Sequence, residues 1–125
     1  MNLILFIHKD SSFEGMNLKK NIDKKLKKFE IQILQTFNSF KARLKQVPDY
    51  YKDVFIVFAD SENRLTQLTS LIDLMDSKRI LLILPDNSKT TLSIGHKFLP
   101  RYFTYVNENY DDLCAVVTKM NDYKK

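Results

Sequence analysis

The 125-residue sequence predicts an α/β domain: a five-stranded parallel sheet between two layers of helices, a three-layer αβα sandwich. Three observations predict it. Short apolar runs alternate with amphipathic ones about five times along the chain. The run Val54–Phe58 is apolar at every position, as a strand covered on both faces requires. With 2 Gly and 3 Pro, the chain has little room for the hairpins of an antiparallel sheet.

Leu3–Ile7 is the first strand, and it ends in the polar loop His8-Lys9-Asp10-Ser11-Ser12. Ser11 and Glu14 have capping-box spacing, and a helix is expected from about Phe13 to Lys28. Leu18, Ile22, Leu26 and Phe29 form its apolar stripe, while Gly15 blurs its start. Ile31–Leu34 is a second strand. Thr36 to Gln46 then forms a helix that presents Phe37, Phe40 and Leu44, stopped by Pro48. Val54–Phe58 leads into Asp60-Ser61-Glu62-Asn63, which can cap a helix, and the run from Leu65 to Met75 turns Leu65, Leu68, Leu71, Ile72 and Met75 inward.

Ile80–Leu84 is the fourth strand, closed by the turn cluster Pro85-Asp86-Asn87-Ser88. From Asp86 to Arg101, Thr90, Thr91, Gly95 and Pro100 oppose a long helix, whereas Leu92, Ile94 and Phe98 can anchor a short one. Tyr102–Val106 is the fifth strand. Asn107 or Asn109 caps a last helix with the stripe Leu113, Val116, Val117 and Met120, and residues 121–125 are expected to fray. The three most apolar strands, Leu3–Ile7, Val54–Phe58 and Ile80–Leu84, take the inside of the sheet. The order is then 2-1-3-4-5, the flavodoxin-like arrangement. Residues 1–125 read as one domain, either entire or cut from a longer protein.

Composition narrows the function. One cysteine, Cys114, excludes an intramolecular disulfide and a multi-cysteine zinc site, and it points to the cytoplasm. It adjoins the last apolar stripe and reads as a core thiol. Leu3–Ile7 is too short for a signal peptide's hydrophobic core, and no stretch approaches the ~18 apolar residues of a membrane span. The net charge of +5 is concentrated in Lys19, Lys20, Lys24, Lys25, Lys27 and Lys28, offset only by Asp23. This basic patch raises the reading of a nucleic-acid or anionic-membrane binder. The 16 Lys against 4 Arg, and the lack of interleaved aromatics, weigh against nucleic acid and favour a solvated helix face. His8 reads as a solvated loop residue rather than a base, and Ser11-Ser12 as capping groups rather than a phosphate site.

The pattern resembles the receiver domain of bacterial response regulators over essentially the whole chain. In that family an acidic pair follows the first strand and an aspartate after the third accepts a phosphoryl group. A hydroxyl residue follows the fourth strand and a lysine the fifth. A carboxylate nucleophile attacking phosphate needs Mg²⁺ on acidic oxygens, with the lysine and hydroxyl binding the transferred group. One of those positions is matched here, by Asp60. The acidic pair falls on His8 and Lys9, with Asp10 one place later; the hydroxyl falls on Leu84 or Pro85, and the lysine on Val106 or Asn107.

The resemblance therefore implies a degenerate, or pseudo-, receiver: a non-enzymatic signalling module that acts by protein contact and needs no cofactor. Asp60 is read as the cap of its helix. The alternative is a phosphoacceptor Asp60 with Asp10 as metal ligand. Receivers dimerise or dock outputs through the last strand and its flanking helices. Tyr102, Phe103 and Tyr105, with Tyr110 nearby, accordingly form the candidate surface for a protein partner, an output domain or a second copy. The segment Tyr51–Arg64 is also similar to the first box of Toll/interleukin-receptor domains, but there the box is the first strand, and here a full βαβα unit precedes it.

Overall fold

The computed structural model describes residues 2–47 and 52–122. Strands β1 (Asn2–Ile7), β2 (Glu30–Leu34), β3 (Asp53–Phe58), β4 (Ile80–Leu84) and β5 (Tyr102–Tyr105) form one sheet, parallel at every pairing, in the order β2-β1-β3-β4-β5. All six residues of β3 are buried, and β1 pairs with it in register from Asn2↔Asp53 to Ile7↔Phe58.

Alternation along the strands sorts the core into two layers. Phe6, Phe55, Val57, Leu82 and Leu84 face α2 (Phe37–Leu44), α3 (Glu62–Leu68), α4 (Ile72–Met75) and α5 (Lys89–His96). Leu5, Ile7, Ile56, Phe58 and Ile83 face α1 (Ser12–Lys25) and α6 (Asp111–Asp122). Each large apolar side chain sealed in these layers contributes roughly 1.5–3 kcal/mol relative to exposure. Cys114 lies in the second layer, and burial pushes its thiol pKa up.

Several expectations are corrected. α1 ends at Lys25, so Lys27 and Lys28 lie in the turn beyond it. Ser11 makes no capping bond: its hydroxyl is buried, and a 3₁₀ turn (Lys9–Ser11) precedes the helix. Gly15 is interior to α1 for a steric reason, since a Cβ there would stand 2.6 Å from Ile7 Cγ2. The run from Leu65 to Met75 is not one helix. The Thr69 and Ser70 hydroxyls bond back to the carbonyls of Thr66 and Gln67, and a 3₁₀ turn (Thr69–Leu71) separates α3 from α4. The short helix anticipated after Asp86 is α5, seated closely on β4 through Gly95. Asn109, not Asn107, takes the amide at the start of α6, and α6 continues through Asn121 and Asp122, which were expected to fray. Pro48 and residues 123–125 lie outside the described residues.

Candidate functional site

The β1–α1 and β3–α3 connections meet at the C-terminal edge of the sheet, and the chemistry-bearing side chains gather there. Asp60 is placed by the end of β3, two residues past Phe58. It is not the cap of α3. Ser61 has that role, with extended backbone and its Oγ accepting from the Arg64 amide at 3.1 Å. Capping by Ser61 leaves the Asp60 carboxylate available, and it takes the side chain of Arg64 one turn on, Nε to Oδ1 at 3.4 Å.

Arg64 then organises the site. Its Nη2 stands 3.9 Å from Asp10 Oδ2, its Nη1 donates to Gln67 Oε1 at 3.4 Å, and its guanidinium lies over the Phe37 ring at 5.8 Å. The side chain is 14% exposed. One cation is thus shared between the two carboxylates proposed as metal ligands. Sequence reasoning did not single it out, although the i, i+4 spacing of Asp60 and Arg64 is a readable ion-pair signal.

His8 is not solvated, as the sequence suggested; it packs against Phe37 with ring centroids 5.5 Å apart. Its Nδ1 accepts from the Asp10 amide at 3.1 Å, which requires that nitrogen to be unprotonated. Burial first, and then the nearby Arg64 charge, lower its pKa from 6.5 against the opposing pull of Asp10. We therefore read the 3.5 Å approach of Nδ1 to Asp10 Oδ2 as contact with a neutral ring, not as an ion pair.

Leu84 is buried apolar surface. Asp86 and Ser88 are engaged in capping α5: Asp86 accepts from the Ser88 amide at 2.9 Å, which lowers its pKa, and Ser88 accepts from the Thr91 amide at 3.2 Å. After β5 comes Val106-Asn107. A divalent cation does not fit this donor set. Among the described residues, Asp10 and Asp60 are the carboxylates at this position, a guanidinium lies against both, and no group of three metal-binding side chains occurs.

The aromatic surface is divided. Strand alternation sends Tyr102 to the α1–α6 side and Tyr105 to the opposite layer, while Phe103 is 37% exposed. Phe103 and Tyr105 make an edge contact at 6.1 Å. Tyr110 is 2% exposed and belongs to the core, so it is not part of a partner surface. Lys19, Lys20, Lys24, Lys25, Lys27 and Lys28 are all exposed, and Lys25 pairs with Asp111 across to α6.

No family model and no curated protein sequence matches the chain. Solved structures do. A response regulator from Colwellia psychrerythraea superposes with a TM-score of 0.69 at 14% identity, covering 98% of both chains. The fold is that of a response-regulator receiver. A response regulator from Burkholderia pseudomallei, solved with a phosphorylated aspartic acid, calcium ion and citrate, gives 0.63 at 14% identity, covering 98% of this chain and 70% of its own. An orphan response regulator of H. pylori gives 0.60 at 14% identity over 95% of each chain. Among the described residues, no helix is long and apolar enough to cross a membrane.

Proposed function

We propose that this chain is a receiver-like signalling module, cytoplasmic and without enzymatic activity, which works by protein contact and does not cycle through phosphoaspartate. The observation that carries the reading is the placement of Arg64. A phosphotransfer site sets a divalent cation among its carboxylates to neutralise the incoming phosphate. Here the protein's own guanidinium lies against Asp60 and Asp10, and Gln67 and Phe37 hold it from two further sides. An entering metal has to displace it. His8 and Lys9 stand where an acidic pair is required, and a cationic lysine there repels the metal further. The receiver fold supports the signalling half of the reading.

The test is to add Mg²⁺ with beryllium fluoride, which mimics an acyl phosphate, and follow backbone amide spectra. The expected result is no saturable change at Asp60, Asp10 or the strand ends around them. Saturable shifts centred on Asp60 would overturn the proposal. A second reading, a phosphoacceptor Asp60 with Asp10 as metal ligand, is favoured by one observation: both carboxylates reach the same guanidinium. It requires Arg64 to swing away, and the same titration decides between the two.

A further inference from the structure

The outer face of α1 has no role in the site described above. The helix buries Gly15, Leu18 and Ile22, with Leu26 just beyond its end. At about 100° per residue, Phe13, Lys20 and Lys24 fall opposite that stripe, and Met16 lies beside them towards β2. Phe13 is 83% exposed and Met16 48%. Three residues apart, they are neighbours on the helix surface and make one small apolar patch. They border a groove of about 380 Å³ between α1 and the edge strand β2, lined also by Ile33 and Lys19. Among the described residues, Lys19, Lys20 and Lys24 form no ion pair, whereas Lys25 is turned to Asp111.

We propose that this face docks an acidic segment of another protein, its apolar anchor seated at Phe13 and Met16 and its carboxylates on Lys19, Lys20 and Lys24. Charge selects the occupant. A second copy would bring the same lysines and be repelled, and a neutral peptide would leave them unmatched. The concave groove beside Ile33 suits an inserted side chain better than a flat headgroup layer. The absence of arginine from the face removes the bidentate forks that nucleic acid recognition favours. The proposal goes beyond the proposed function and shares no residue with the Asp10–Arg64–Asp60 group, so it stands or falls separately from the phosphorylation test.

The test is to select displayed random linear peptides on the full chain. The recovered peptides are then titrated against the wild type, Phe13→Asp, Lys20→Glu/Lys24→Glu and, as a control on the α5 side, Lys97→Glu. Vesicles containing phosphatidylserine and a DNA duplex are titrated in parallel. The expected peptides carry net negative charge and an aromatic or aliphatic anchor. Phe13→Asp and the double variant bind them about tenfold more weakly or worse, and Lys97→Glu binds like the wild type. Because the substituted positions are exposed, circular dichroism melts should coincide and separate lost binding from lost folding. Neutral or basic peptides, no enrichment, undiminished binding by either α1 variant, or tighter binding of vesicles or DNA through these same residues would overturn the proposal.

Discussion

At the scale of single residues, four contacts converge on the Arg64 side chain: Asp60, Asp10, Gln67 and the Phe37 ring. Each ion pair alone is worth no more than about 1 kcal/mol at a partly exposed site, and the ring contact adds about the same. Together they hold the guanidinium in one place, between the Asp60 and Asp10 carboxylates. Replacing Arg64 with Ala removes a cation facing His8 while Asp10 and Asp60 remain. The His8 pKa should therefore rise relative to the wild type, read from imidazole shifts in an NMR titration. The same variant should acquire Mg²⁺-dependent amide shifts at Asp10 and Asp60 that the wild type lacks. An unchanged His8 titration would mean that Arg64 does not sit over this site in solution. The carboxylates of the site stand out in the sequence; their partner Arg64 is signalled only by its i, i+4 spacing from Asp60, and its reach to Asp10 on another connection is not signalled at all. Reading Asp60 as a cap assigned its oxygen to a backbone amide. Ser61, with a shorter side chain one residue closer to the helix, takes that amide and leaves Asp60 for the charge one turn on.

At the scale of elements, the strands were read more accurately than the ends of the helices. A strand buried on both faces needs an unbroken apolar run, and β1, β3 and β4 each have one. Helix boundaries depend on which hydroxyl reaches which amide or carbonyl. Thr36 and Ser39 form a capping box at α2 that spacing rules did not flag, whereas Ser11 and Glu14 have the spacing without the bond. Gly15 follows the same logic. Periodicity treats it as a helix weakener, but its missing side chain lets α1 lie against Ile7. Gly15→Ala gains helix propensity of about 1 kcal/mol and loses more, because a Cβ at 2.6 Å from a strand-anchored branched side chain forces the helix away. A net loss of about 1–2 kcal/mol is expected in urea denaturation; equal or higher stability would show that α1 is not seated this closely.

At the scale of the whole molecule, topology follows from the apolarity of the five strands, and the observed order is the one that reading predicts. The site depends on side chains from separate connections, which no single stretch of sequence reveals. His8 links the site to the stability of the fold. Its folded pKa lies below the unfolded value of 6.5, so its contribution is present above pH 6.5 and is lost as pH falls through the folded value. Melting temperature should decline on acidification through that window. His8→Asn, whose side-chain oxygen can accept the Asp10 amide as Nδ1 does, should remove that part of the decline, measured by calorimetry across the range. Whether Asp60 accepts a phosphoryl group is read from intact mass and peptide mapping after incubation with Mg²⁺ and acetyl phosphate. The wild type should keep its mass, and a gain of about 80 Da mapped to Asp60, one phosphoryl group on a carboxylate nucleophile, would contradict the proposed function.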